Sequence, residues 1–172
     1  MTGDVNEALI WALESARRHT LTLAGDIPQD RACQQSVTGE HHPVWILGHL
    51  LLGDTYLLSL LSVEPLSEEF PILLSRYGPG ASPLPLPDRY DALPTLVERL
   101  KLIGSRRLEA IRSMTGADLT RPTPDPGLAR AQPTISHHLH GLVCHEGYHA
   151  GQLSAWRRAH GLGPKRWAFA PT

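Results

Sequence analysis

Apolar side chains recur at helical spacing in four segments of the chain, and no segment shows a convincing strand pattern. The four segments cover about residues 4–24, 43–62, 91–114 and 134–160. In the third segment the spacing is carried by Leu93, Leu96, Val97, Leu100, Ile103, Leu108 and Ile111. We therefore predict an all-α fold built on four helices.

Residues that favour helix ends flank these segments. Pro43 suits the first turn of the second helix, because its fixed φ is helical and its missing N–H is not needed there. Thr134 is a good N-cap for the fourth helix. Gly25, Gly116 and Gly161 are predicted to end the first, third and fourth helices.

Two proline-rich connections separate the helices. Residues 64–90 contain six prolines, and residues 116–133 form a second such connection. The first is longer than compact domains usually tolerate. A long crossover lets the second and third helices run parallel, and such loops also cover pockets. We predict a single four-helix domain over residues 1–172.

The most apolar segment, residues 44–63, is long enough to cross a membrane. His49 and Asp54 lie near its middle, where polar and charged groups are unfavourable in lipid. We therefore predict a buried helix of a bundle and no membrane partner.

Composition narrows the classes of function. The chain has 172 residues, is 41% hydrophobic and 19% charged, and carries a net charge of -1. No basic field indicates nucleic acid, and the pairs Arg106–Arg107 and Arg157–Arg158 are interpreted as solvated helix faces. The opening MTGDVNEALIWALESARR has no uninterrupted apolar core and predicts no signal peptide. Cys33 and Cys144 are too few for a disulfide framework, which favours a reducing, cytoplasmic setting.

The stretch HEGYHAGQ, residues 145–152, places His145 and His149 one helical turn apart on one face. With Glu146 between them, the pair matches the H-E-x-x-H motif of zinc metalloproteases. A protease needs a third ligand further along the chain, but no Asp or Glu follows Glu146. His160 is near the helix end, about two turns beyond reach. The protease interpretation therefore lacks a ligand.

His49 is the upstream candidate for the third ligand. A buried imidazole in the most apolar helix must satisfy both ring nitrogens or coordinate an ion. With His145 and His149 it would give three neutral imidazoles from facing helices and an open position, as in catalytic sites. Glycines beside these histidines predict a close approach of the two helices. They are Gly48, Gly53, Gly147 and Gly151. The alternative is packed or exposed histidines that bind no metal.

Four side chains are further candidates for the pocket. Gln152 shares the ligand face and either supports a ligand or packs. Trp45, one turn before the upstream histidine, either lines the pocket or packs in the core. Glu146 points about 100° away from the ligand face, so a solvated or interface carboxylate is favoured over contact with a ligand or a role as base. His138, two turns before the pair, would flank the pocket without reaching the ion.

The other polar residues are predicted to lie away from the ligand face. The histidines expected to be exposed are His41, His42, His137 and His140. Asp54 is expected to form a polar pair with another helix. Cys144, next to His145, is expected to be a small buried side chain.

Two stretches, GHLLLGDTYL in the second helix and HEGYHAGQLSAWRRAHGL in the fourth, resemble the DinB/YfiT-like superfamily of metal-dependent enzymes, which is unrelated to the DNA polymerase of the same name. The family pattern has one histidine in helix 2, often within GHL, and H-x-x-x-H followed by G-Q in helix 4. His49, His145 and His149 occupy the three ligand positions, and Gly151–Gln152 is the G-Q pair. TGADLTRP after the third helix also resembles the family.

The resemblance implies an up-down-down-up four-helix bundle with a long crossover between helices 2 and 3. It also implies a homodimer and one divalent ion of zinc, nickel or iron. Some members transfer a low-molecular-weight thiol such as bacillithiol or mycothiol, and one branch isomerises maleylpyruvate with a thiol cofactor. Transfer of such a thiol to an electrophilic small molecule is therefore the favoured function. Metal-dependent hydrolysis of a small substrate and non-catalytic binding of metal or a small ligand remain alternatives.

Overall fold

The computed structural model describes the backbone of residues 2–166 and the side chains of residues 7–166. Four long helices are α1 (Thr2–Ala24), α2 (Pro43–Leu60), α4 (Leu93–Arg112) and α7 (Ile135–Ala159). Three short helices are α3 (Phe70–Tyr77), α5 (Gly116–Thr120) and α6 (Pro126–Ala129). Within residues 2–166 there is no strand, so the predicted all-α class is confirmed.

Most of the predicted helix ends are confirmed. The hydroxyl of Thr134 accepts a hydrogen bond from the backbone N–H of His137 and caps α7, and Gly161 follows that helix with a φ of 70°. The prediction at Gly116 was wrong, because α4 already ends at Arg112 and Gly116 begins α5. Thr115 and Asp118 form a capping box there, which stabilises a new helix start.

The long helices contact one another in a ring. The contacts between α1 and α7 and between α2 and α4 are the most extensive, and α1 also contacts α4 while α2 contacts α7. The larger core cluster fills this space with side chains such as Leu47, Leu96 and Trp156. The up-down-down-up order of helix directions stays a prediction.

The crossover between α2 and α4 contains structure of its own. Its helix α3 packs on α2, and a 3₁₀ turn at Pro87–Arg89 precedes α4. Gly48 makes the contact with α3 possible, because a Cβ at that position would lie 2.2 Å from Cε1 of Tyr77. The close approach predicted at Gly48 is therefore real, but its partner is α3 and not α7.

The same prediction was wrong for the other three glycines beside the histidines. A Cβ at Gly53, Gly147 or Gly151 would meet no atom within 4 Å. Gly147 and Gly151 lie on the exposed face of α7. A glycine in a helix therefore signals a close neighbour only where the tertiary structure supplies one.

Helix α2 is the central core helix. By length and composition it is the one described helix that could cross a membrane, but 72% of it is buried inside the protein. Its hydrophobic residues face α3, α4 and α7. The predicted buried helix is confirmed.

Two arginines contradict the prediction of solvated helix faces. Arg107 and Arg157 are 1% and 2% exposed, whereas Arg106 and Arg158 are exposed. Adjacent helical residues point about 100° apart, so one arginine of each pair turns inward. Arg157 donates hydrogen bonds to the carboxylate of Asp26, and this pairing makes its burial tolerable.

Candidate metal centre

Three imidazoles from two helices meet at one point. His49 comes from the middle of α2, and His145 and His149 lie one turn apart on α7. The Nε2 atom of His145 lies 3.0 Å from Nε2 of His49 and 3.1 Å from Nε2 of His149. The structure therefore brings together the three residues that the sequence proposed as ligands, and all their candidate ligand atoms lie within 4.8 Å of one another.

The opposite ring nitrogens of two of these histidines are held by oxygen acceptors. Nδ1 of His49 donates to the backbone carbonyl of Tyr77 at 2.6 Å. Nδ1 of His149 donates to Oε1 of Gln152 at 2.7 Å. A proton on Nδ1 leaves a lone pair on Nε2 of a neutral imidazole, so both rings present an electron pair to the centre.

The environment keeps these imidazoles neutral. Burial lowers the pKa of His49. Burial and the neighbouring His49 lower the pKa of His145 to about 4. Burial, His145 and His49 lower the pKa of His149 to about 3. At neutral pH all three rings are therefore in the form that ligates metals.

This arrangement fits a divalent transition metal ion. His145 can donate at most one Nε2 proton, so at least one of the other two Nε2 lone pairs must face a nitrogen that offers it nothing. A cation among the three nitrogens removes that repulsion. Imidazole suits zinc, iron and nickel, and three protein ligands leave a position open. The nitrogens are the candidate ligands, and the groups on Nδ1 orient the rings.

A wall of stacked rings lies beside the centre. The indole of Trp45 stacks on the imidazole of His49 with 4.8 Å between ring centroids. The imidazole of His41 also stacks on this indole, with 4.1 Å between ring centroids. Gln152 joins the wall to the ligand pair, because its Nε2 donates to Nδ1 of His41. Trp45 and Gln152, both predicted candidates, therefore contact ligand histidines.

The predicted exposure of His41 and His42 was wrong. His41 is half-buried in the stack, and the spacing of four residues to Trp45 was a signal for it. His42 is buried: its Nδ1 accepts from the backbone N–H of Trp45 as N-cap of α2, and its Nε2 donates to the carbonyl of Leu84. Tyr77 was missed altogether, because it acts through a backbone carbonyl that every residue type possesses.

A protein-family model described as the DinB superfamily matches residues 12–153. The match spans more than half of the chain and includes all three histidines of the centre. The chain belongs to the DinB superfamily. No curated protein and no solved structure gives a significant match to the chain.

In this DinB-superfamily protein Glu146 is committed to a buried ion cluster. It is 1% exposed, and its Oε1 lies 2.5 Å from Nε of Arg17. The expectation of a solvated carboxylate was therefore wrong, because Glu146 lies between α7 and α1. Arg17 of α1 packs against the face of α7 that carries Glu146, which the sequence had predicted to face solvent. The carboxylate faces a guanidinium, so a role as general base is disfavoured.

The remaining candidates lie outside the centre. Nδ1 of His138 contacts Oε1 of Gln132 at 2.6 Å, and His138 lines neither of the cavities beside the three histidines. Cys144 is exposed, so the prediction of a buried thiol was wrong. It lies on the outward face of α7, like Gly147 and Gly151. Asp54 of α2 pairs with Arg107 of α4 and Arg17 of α1, so the predicted polar pair with another helix is confirmed.

Two cavities open beside the centre, and both are bordered by His49 and His145. The apolar cavity has a volume of about 410 Å³ and extends along α2 to Tyr56. The loop cleft has a volume of about 460 Å³ and lies between Trp45, Tyr148 and residues 79–83 of the crossover. The predicted role of the crossover in covering a pocket therefore has a structural basis.

Proposed function

We propose that this DinB-superfamily protein is a metal-dependent enzyme that transfers a low-molecular-weight thiol to an electrophilic small molecule. The observation that carries the proposal is the convergence of three Nε2 atoms, 3.0 and 3.1 Å apart, from His49, His145 and His149. One divalent ion of zinc, nickel or iron held there would act as a Lewis acid that lowers the pKa of a thiol.

The protein's own groups prepare this chemistry. The Tyr77 carbonyl and the Gln152 amide fix the Nδ1 protons, and so aim two ligand lone pairs before any ion arrives. The stacked rings of His41 and Trp45 shield one flank of His49 from water. A metal ion on these preorganised ligands would favour a thiolate nucleophile at neutral pH, and restricted water would limit hydrolytic side reactions.

The two cavities favour transfer over hydrolysis. Transfer joins two organic molecules: the sulfur bonds to an electrophilic carbon, and the thiol proton passes to the second substrate or its leaving group. Both the apolar cavity and the loop cleft border His49 and His145, so each of two substrates could occupy its own cavity beside one centre. A hydrolase needs only one organic substrate and water. Hydrolysis is the second candidate, because a three-histidine centre also suits activation of water.

The first test is metal stoichiometry by elemental analysis, without a metal-binding tag or a chelator during purification. We expect about one transition-metal ion per chain in the wild type and none in His49→Ala, since two ligands on one helix turn bind weakly. His140→Ala is the matched control, because His140 is an exposed histidine on α7. Metal that persists in His49→Ala would show that the three-histidine centre is wrong.

The second test separates transfer from the alternatives. The metal-loaded protein is incubated with several low-molecular-weight thiols and an electrophilic probe. Turnover that depends strictly on thiol supports transfer, whereas turnover without thiol supports hydrolysis. Metal binding without any turnover would indicate a binding protein. A cytoplasmic location and a homodimer belong to the same proposal, and the dimer is checked by the solution mass of the protein.

A further inference from the structure

We infer that the apolar cavity binds the body of the electrophilic substrate, and that this substrate is uncharged and apolar. The role as electrophile rests on the proposed function. The chemical class of the ligand rests only on the walls of the cavity. The second, more polar substrate would bind in the loop cleft.

The side chains that line the apolar cavity are almost entirely apolar. Apart from the two ligand histidines and backbone around two glycines, the walls are formed by Leu52, Tyr56, Phe70, Leu74, Pro79 and Leu128, with Asp125 at one end. Tyr56 and Phe70 stack with 6.1 Å between ring centroids, and both line the cavity. A volume of about 410 Å³ is in the range of sites for small organic ligands.

The charges in the walls disfavour an anionic group in the body of the cavity. No lysine or arginine lines this cavity in the part of the chain that the structure describes. Its one carboxylate, Asp125, already accepts hydrogen bonds from the Tyr56 hydroxyl and from the backbone N–H groups of Gly127 and Leu128. Away from the three histidines and the ion they would hold, an anionic group would find no cationic partner in the walls and would lie beside a negative group.

One face of α2 builds both the centre and the cavity. Trp45, His49, Gly53 and Tyr56 follow each other at spacings of three or four residues, so they share that face. Gly53 is the gap in this face, because a Cβ there would meet no atom within 4 Å. The missing side chain keeps the cavity open next to His49. A large residue at Gly53 should therefore fill the cavity without displacing the fold.

The test is direct binding of two fluorescent probes that share an aromatic skeleton and differ in charge. N-phenyl-1-naphthylamine is neutral, and 8-anilino-1-naphthalenesulfonate carries a sulfonate. We expect the neutral probe to bind the metal-loaded protein at one site per chain, at least tenfold more tightly than the anionic probe. Equal affinity for the two probes would overturn the inference.

Two variants locate the probe. Gly53→Leu should weaken binding of the neutral probe at least tenfold, whereas Gly147→Leu, the same change at an exposed glycine of α7, should leave it unchanged. Leu74→Arg changes a side chain that is 47% exposed at the cavity wall and should raise the affinity for the anionic probe several-fold. Neutral binding that survives Gly53→Leu, or anionic binding that Leu74→Arg leaves unchanged, would overturn the inference.

These measurements need neither thiol nor turnover, so they fail separately from the proposed function. Selective binding of the neutral probe without thiol transfer would refute the transfer reaction and uphold the ligand class. Thiol transfer to anionic electrophiles as fast as to neutral ones would uphold the reaction and refute the ligand class.

Discussion

At the scale of single residues, the candidate centre depends on what each imidazole does with its second nitrogen. His49 and His149 each have an oxygen acceptor on Nδ1, supplied by Tyr77 and Gln152. Such partners fix the tautomer and the ring direction, and they also raise the basicity of the ligand nitrogen. The sequence placed Gln152 on the right face but left its role open between support of a ligand and packing.

Replacement of Gln152 by leucine tests this support. Gln152→Leu removes the acceptor at Nδ1 of His149, so we expect metal affinity to fall by roughly 10- to 100-fold. Affinity is measured by competition with a chromogenic chelator. Gln132→Leu is the control, because Gln132 contacts His138, which is not one of the three histidines. Equal affinities in wild type and Gln152→Leu would mean that the amide only packs.

At the scale of elements, α2 begins on a histidine that must stay neutral. His42 accepts from Trp45 N–H through Nδ1, and a proton on that atom would break the cap. Burial lowers the pKa of His42 to about 4, from 6.5 for a free imidazole. Between these values the unfolded chain binds more protons than the folded one. The free energy of unfolding therefore falls as pH falls from about 6.5 towards 4.

Substitution of His42 by asparagine should remove this part of the pH dependence. Asparagine also caps helices but does not titrate. Between pH 7 and pH 4.5, we expect the metal-free wild type to lose roughly 2–3 kcal/mol more unfolding free energy than His42→Asn. Urea unfolding at the two pH values measures the difference. Parallel losses in both proteins would show that His42 is already charged in the folded state, or that its charge is harmless.

Two glycines of α2 should respond to the same substitution with opposite sign. Gly48→Ala forces a methyl group into the ring of Tyr77, so we expect a loss of roughly 1–3 kcal/mol in unfolding free energy. Gly53→Ala meets open space and should gain roughly 0.5–1 kcal/mol from helix propensity. Urea unfolding of both variants gives the two values. A gain at Gly48 would mean that α3 moves away from α2 without loss.

At the scale of the whole molecule, one charged side chain from each long helix meets in a buried cluster. Arg17 of α1 lies 2.9 Å from Asp54 of α2 and pairs with Glu146 of α7, while Arg107 of α4 lies 2.7 Å from Asp54. Burial alone would raise the pKa of Asp54, but Arg107 and Arg17 hold it below its ordinary value. The cluster therefore ties the four helices together beside the three histidines.

Removal of one charge from this cluster should destabilise the protein without removing the metal. Glu146→Gln leaves Arg17 buried with less compensation, and we expect a loss of roughly 3–5 kcal/mol in unfolding free energy. Metal content should stay at the wild-type level. Glu98→Gln, at an exposed pair with Lys101, should change stability by less than about 1 kcal/mol. Lost activity at full stability would instead restore Glu146 as a base.

The sequence by itself determined the helices and the shared face of His145 and His149, because both follow from a period of 3.6 residues within one segment. It also indicated His49, since a polar ring in the most apolar helix needs a partner. Only the tertiary structure decided which partners these residues have. Tyr77 lies 28 residues from His49, and Arg17 lies 129 residues from Glu146. Such contacts depend on how the helices pack, and local periodicity carries no record of the packing.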